Sequence, residues 1–260
     1  MGYVLIALGF VAATLYALRG GLVGRGSVIT FAGLEVEAVF MAALAVAAAV
    51  YFFGPLYGAA LVLSVMIHEF GHVAAYRVCG HSDARFRLIP LMGGVAISNQ
   101  MPASQENDFF ITLMGPGICL APMALSMALL EIDLIAYSPA ADFLWVFATV
   151  TGTLNFFNLM PFWPLDGGRC TVSLIRVFLP RAALQATMAM AAATIVLAIY
   201  SRSLALMFFA LMGAQNLITR GDVGTTQRPM SKGRGLLALG AYVATTAAFA
   251  TIATATVATT

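Results

Sequence analysis

Charge is the scarcest feature of this chain of 260 residues. Asp, Glu, Lys and Arg make up 9% of it and hydrophobic residues 61%, whereas a soluble domain carries about 25% charged residues. That shortage excludes a water-soluble fold and leaves a polytopic membrane protein. The net charge of only +2 gives no overall basic balance, so no nucleic-acid partner is implied. Cysteine is also scarce. Cys79, Cys119 and Cys170 are odd in number and share no spacing, which excludes a disulfide framework and makes them small apolar filler. The apolar stretch from Met1 to Leu18 has no basic region before it and no small-residue cleavage site after it, so it reads as a retained helix and not a signal peptide. No repeat recurs along the chain. No soluble domain of appreciable size is present either, the longest polar connection being about 219–235.

Long apolar runs are what the chain has instead. A membrane span needs about 20 apolar residues, and the candidates are 3–18, 34–53, 56–78, 107–130, 142–160, 183–200, 203–219 and 236–257. The expected fold class is therefore an α-helical polytopic membrane protein of about eight transmembrane helices, with six to eight compatible. The runs at 183–200 and 203–219 are short and separated only by Ser201-Arg202-Ser203, a tight hairpin or a partly interfacial pair. With eight spans, every Lys and Arg except Arg202 falls on one side. That side is cytoplasmic by the positive-inside rule, so both termini lie outside. Residues 1–260 read as one integral-membrane domain, with a core at 56–180 and flanking spans at 1–55 and 181–260.

Two pieces are not helical by pattern. A short strand is expected near Ser27 to Phe31. The segment Phe86 to Ser98 holds Pro90, Gly93 and Gly94, which discourage a helix, yet it is too apolar for an ordinary loop. It is expected to be a strand or β-hairpin embedded in the membrane, against protein or a wet cavity. Ser104 to Asp108 then places polar and acidic residues at the start of the next helix, where its dipole favours them.

The chemistry-bearing stretch is Leu61 to Gly80, which contains His68-Glu69-Phe70-Gly71-His72. Ionisable groups are costly in a bilayer, so three together indicate function. On a helix, His68 and His72 share one face and can bind one Zn²⁺, with Glu69 beside them as the base. A tetrahedral zinc that keeps one position for water needs a third protein ligand. Asp166, within the stretch from Asn158 to Arg169, offers it. Pro161 and Pro164 break the helix before it, and Gly167-Gly168 permit a close backbone approach. The competing reading makes Asp166 a cap for a helix over 167–179. His68 lies about 15 Å from the cytoplasmic helix end, and Asp166 lies near the same side, so both belong to the cytoplasmic half of the bilayer. His81, in the turn from Cys79 to Asp83, reads as a solvated loop residue. Asn155 and Asn158 either bond across helices or contact substrate and its oxyanion. Arg169, Arg176 and Arg181 read as a basic face toward lipid phosphates.

In order and direction, H-E-F-G-H within a span, then Gly93-Gly94-Val95, then N-x-x-P-x-x-P-L-D-G-G-R resemble the site-2 protease family of intramembrane zinc metalloproteases, peptidase family M50. The match covers roughly Val62 to Arg169, and Gly115-Pro116-Gly117 resembles a small G-P feature of the family. The resemblance implies one zinc per chain on His68, His72 and Asp166, with Glu69 as catalytic base. Substrate contacts would come from Asn158, Asn155, Gly93 and Gly94. It also implies a transmembrane protein substrate, single-span and already trimmed by another protease. The alanine-rich composition and small size suggest a bacterial inner membrane. The chain reads as a small form without PDZ-like or nucleotide-sensing CBS modules. Two other classes compete: a proton- or metal-coupled transporter using the same His/Glu/Asp cluster, and a catalytically silent scaffold. Paired broken helices, a frequent mark of transporters, are absent from the pattern. Beyond substrate and lipid, the sequence names no partner and no oligomeric state.

Overall fold

A single glycine decides the course of the longest helix. In the computed structural model α1 spans Gly2–Ala17 and α2 spans Val36–Val78, but Gly54 inside α2 has φ 81° and ψ 166°, a conformation that favours glycine. Pro55 follows it, at a position where a proline starts a helix without losing a needed hydrogen bond. A Cβ on Gly58 would lie 2.8 Å from the backbone of Ala49 and Val50, so the chain doubles back on itself there. The two helices expected at 34–53 and 56–78 are thus both present and meet at Gly54.

Residues 2–22, 36–89, 93–203, 206–208, 210–211, 213–215 and 227–257 are described. The remaining elements are β1 (Arg85–Ile89), β2 (Gly93–Ile97), α3 (Gln105–Leu129), a short α4 (Asp133–Ala136) that the sequence pattern did not predict, α5 (Ala140–Asn158), α6 (Asp166–Phe178), α7 (Ala183–Ser201) and α8 (Lys232–Val257). Among the described residues, four helices are long and apolar enough to cross a membrane: Phe40–Val78, Gln105–Leu129, Ala140–Asn158 and Pro180–Ser201. The strand expected near Ser27 to Phe31 lies outside the described residues, as does part of the span expected at 203–219.

The chain divides into two compact units. The first comprises Met1–Met101, Met114–Asn155 and Ala247–Thr260; the second comprises Pro102–Leu113 and Phe156–Thr246. In the first, Ala60 of α2 packs on Val146 and Phe147 of α5, and His68 reaches Asn155, so these two helices run side by side in the same direction. The stretch of α3 in this unit runs the opposite way: Gly71 lies on the carbonyl of Met114, and the Cys119 thiol is 4.0 Å from the Ser64 carbonyl oxygen. Gly71, which has no side chain to hold α3 off, permits this closeness, as small residues do between membrane helices generally. On α1, Ala7 packs against Ala124 and Ala128, while Leu5 and Leu8 face outward.

The second unit is tied by polar contacts near its α3 segment. Ser104 accepts from the Asn107 amide, Gln105 accepts from the Met230 amide at 2.9 Å, and Glu106 pairs with Arg234. Arg169, expected on a lipid-facing basic surface, instead donates to Asp108 at 3.2 Å. A nearby carboxylate on the same unit outcompetes a phosphate in solution.

In the first unit, β1 and β2 pair antiparallel, with Leu88 opposite Gly94 and Ile89 opposite Gly93. The base of this hairpin is closed by side chains. Ser98 Oγ donates to Asp83 at 3.1 Å, and the Asn99 amide donates to Asp83 Oδ2 at 2.6 Å. His81 Nδ1 lies 3.1 Å from Ser98 Oγ. His81 is therefore not a solvated loop residue: it is 4% exposed and stacks edge-on against Tyr76. Ser98, just after β2, and Tyr76, on α2, draw it inward. Next to it, burial pushes the Cys79 thiol up to about 11, so it stays neutral and unreactive.

Two outcomes follow. Gly58→Leu should cost about 1–3 kcal/mol by overpacking, whereas Gly9→Ala, with open space around its position, should not destabilise; thermal unfolding in detergent checks both. The Asn99 amide holds the Asp83 carboxyl below its ordinary value of 3.8. Its stabilisation of the hairpin base is then complete above that value and is lost as pH falls through the lower folded value. Exchange protection at Asn99, measured against the intrinsic rate, should hold at pH 5 and drop in more acid solution, and Asp83→Asn should reduce it at neutral pH.

Candidate functional site

The second half of α2 buries one face and exposes the other. Ser64, His68, Gly71, His72 and Ala75 follow helical spacing on the buried side, while Leu63, Met66 and Phe70 are exposed. A soluble helix would turn its polar groups to water; here the imidazoles point inward, at 6% and 7% exposure. Their Nε2 atoms face each other at 3.1 Å, with the rings edge-on at 80°. His68 Nδ1 lies 2.8 Å from Asn155 Oδ1 on α5, and the Asn155 amide nitrogen donates to the Thr151 carbonyl at 2.8 Å. Glu69 follows His68 directly and is half-buried.

Two glycines make room for this pair. A Cβ on Gly115 of α3 would overlap the His72 ring and come within 2.9 Å of His68 Nε2; one on Gly71 would overlap the Met114 carbonyl. The Gly115-Pro116-Gly117 stretch, noted in the sequence without a role, therefore supplies the wall of the imidazole site.

In the second unit, Asp166 is the first residue of α6 and is 7% exposed. The N-cap position falls on Leu165 and carries no side-chain cap, so Asp166 is not the cap considered from the sequence. Its Oδ2 accepts from Asn158 Nδ2 at 2.7 Å. The loop between them is held through its carbonyls: Tyr242 donates to Leu159 at 2.6 Å and Thr194 to Trp163 at 2.9 Å. The Trp163 indole in turn donates to Gly213 at 3.1 Å. Side chains on Gly167 and Gly168 would overlap the Leu159 and Phe162 carbonyls, so the glycine pair lets α6 begin hard against this loop.

The structure thus groups the expected residues as His68, His72 and Asn155 in the first unit, with Glu69 alongside, and as Asn158 with Asp166 in the second. Gly93 and Gly94 open β2. Asn155 has its amide committed to His68 and Thr151, and is fully buried. Tyr242 and Thr194 were missed because a lone hydroxyl on an apolar helix has no distinguishing spacing.

Residues 123–201 match the model of Peptidase family M50, a stretch that holds Asn155, Asn158 and Asp166 but not the α2 histidines. Over 127 residues the chain is 34% identical to Rip3 of Mycobacterium tuberculosis, whose name proposes a zinc metalloprotease; the match takes in 46% of this chain and 30% of that one. Over 115 residues it is 30% identical to a zinc metalloprotease of Methanocaldococcus jannaschii, covering 42% of this chain and 31% of the relative. The chain therefore spans less than a third of these relatives' length. A solved site-2 protease from Methanocaldococcus jannaschii aligns with 70% of this chain and 87% of its own, at 21% identity and a TM-score of 0.41. The apolar helices make the chain an integral membrane protein, and over residues 123–201 it is similar to Peptidase family M50.

Proposed function

We propose that this chain is an intramembrane zinc metalloendopeptidase, hydrolysing peptide bonds within or near the transmembrane segments of other membrane proteins. The observation that carries this reading is the buried imidazole pair of α2, whose Nε2 atoms face each other at 3.1 Å with Glu69 adjacent. Two ring nitrogens so placed form a ready two-ligand set for a cation, and Gly115 keeps the space beside them clear of a side chain.

The donor chemistry fits zinc, which takes His nitrogen and carboxylate oxygen. His68, His72 and Asp166 are each buried and each offers one such atom; in this proposal they hold one Zn²⁺. Bound zinc supplies Lewis acidity, drawing water toward hydroxide at neutral pH and polarising a carbonyl. Glu69 accepts the proton of the attacking water and returns it to the leaving amine. Asn158 orients Asp166 and, in this reading, also donates to the developing oxyanion. The Gly93-Gly94 start of β2 completes the assignment of residues near substrate; Asn155, grouped with them from the sequence, has its amide committed to His68 and Thr151 instead.

The finer membrane reading belongs to the same proposal. Residues 1–260 act as one domain of about eight spans, the folded α2 counting as two, since about 58 Å of straight helix would be twice a hydrocarbon core. The charge distribution puts both termini outside and the site in the cytoplasmic half of a bacterial inner membrane. The β1–β2 hairpin lies in the membrane and offers an edge to an extended substrate. A helix hides its carbonyls in hydrogen bonds, so a substrate has to unwind locally, and single-span proteins already trimmed by another protease suit such a site.

Glu69→Gln should lower cleavage of a membrane-spanning reporter by at least about 100-fold while zinc stoichiometry stays at wild-type level; normal turnover removes Glu69 as base. A chelator should stop wild-type cleavage, whereas chelator-sensitive metal flux without cleavage selects a transporter. Asp166→Ala should reduce bound zinc, and an unchanged metal content discards Asp166 as ligand.

A further inference from the structure

Among the described residues, Asn155 is the one fully buried amide beside the histidine pair, and its orientation is decided by the backbone. One end of the amide lies 2.8 Å from the Thr151 carbonyl. A carbonyl only accepts, so that end is the NH₂ group and the opposite end, facing His68, is Oδ1. An amide oxygen also only accepts. The ring nitrogen 2.8 Å from it, His68 Nδ1, must therefore carry the hydrogen.

We propose that Asn155 is a positioning residue that locks His68 as the Nδ1–H tautomer, so that the lone pair sits on Nε2. That nitrogen is the one facing His72 Nε2 and lying beside Gly115. The lock needs no charged partner. It draws on the turn of α5 that carries Thr151, which is itself buried, so a helix backbone sets the proton position on a neighbouring helix. Neutral imidazole in water favours the other tautomer only weakly, so one buried hydrogen bond is enough to reverse the preference. Asn155 accordingly acts through His68 and has no amide group available for a substrate backbone. The tautomer assignment stands on these contacts alone; its consequence for metal affinity rests on the protease reading.

The chain has three histidines, so selective ¹⁵N-histidine labelling of the full-length, chelator-treated protein in detergent yields three imidazoles to assign. Above pH 8, His68 should show a protonated Nδ1 and an unprotonated Nε2. A predominantly Nε2–H ring at His68 overturns the proposal without any variant being made. Asn155→Leu should relax His68 toward the Nε2–H form and weaken zinc binding, titrated by competition with a chelator, by about 10–100-fold, as the loss of such an outer partner does. Asn155→Asp keeps an acceptor oxygen and should restore most of that affinity. A merely structural role would lower the melting temperature of Asn155→Leu while leaving tautomer and affinity as in wild type, and that result also overturns the proposal. If wild-type His68 shows the stated tautomer but the protein binds no zinc, the protease reading fails and the positioning of His68 by Asn155 stands.

Discussion

Two imidazoles held nitrogen to nitrogen inside an apolar helix pack are the constraint around which the first unit is arranged. Each ring would prefer water, and burying a polar group without a partner costs several kcal/mol. The surrounding residues reduce that cost in different ways. Asn155 takes one ring nitrogen, and the two rings lie against each other. Gly71 and Gly115 let α3 approach until backbone, not side chain, forms the wall. The closeness of α3 is thus a requirement of the site and also a packing choice. Any larger residue at either glycine would push the helix off or turn a ring out of place. The same logic explains why the outer face of this helix carries Leu63, Met66 and Phe70. With the polar groups turned inward, the lipid-facing surface is left wholly apolar.

The second unit solves a related problem with hydroxyls. A helix that ends at Asn158 and a new one that starts at Asp166 leave a run of carbonyls with no intrahelical donors, which a low-dielectric environment penalises. Tyr242 and Thr194 supply those donors from two other helices, and the Trp163 indole pins the loop to Gly213. Asp166 is therefore presented by a segment held at several points. Because its anchors come from α7 and α8, helices without any motif of their own take part in placing it.

What the sequence made legible is what depends on local spacing. His68 and His72 share a face because four residues make slightly more than one helical turn, and β2 begins at Gly93 where the glycines discourage a helix. The rest depends on which helices meet. Asn155 lies 87 residues from His68, and no pattern in either segment names the other. The burial of His81 was hidden for the same reason: its partner Ser98 lies across the hairpin, while the turn around it is polar and reads as exposed. The fold-back at Gly54 was legible as two consecutive spans at 34–53 and 56–78, and the conformation of Gly54 shows how the chain turns between them. Arg169 looked like one of a row of lipid-facing bases because Asp108, its partner, belongs to a distant helix.

The choice of partners also bears on what kind of chemistry such groups can serve. A proton relay needs neighbours that can take up and release protons in turn, which is why intramembrane relays string together carboxylates and histidines. Here His68 has an amide as one hydrogen-bond partner and the His72 ring as another, and Asp166 has an amide among its partners. An amide orients a ring or a carboxylate but does not titrate, so a proton arriving at either group is not passed on through it. A charged partner in the same place would add its own desolvation cost. It would also make the geometry depend on protonation. The amide partners themselves relay no proton and give each group they face a fixed direction, which is what the coordination site proposed above requires.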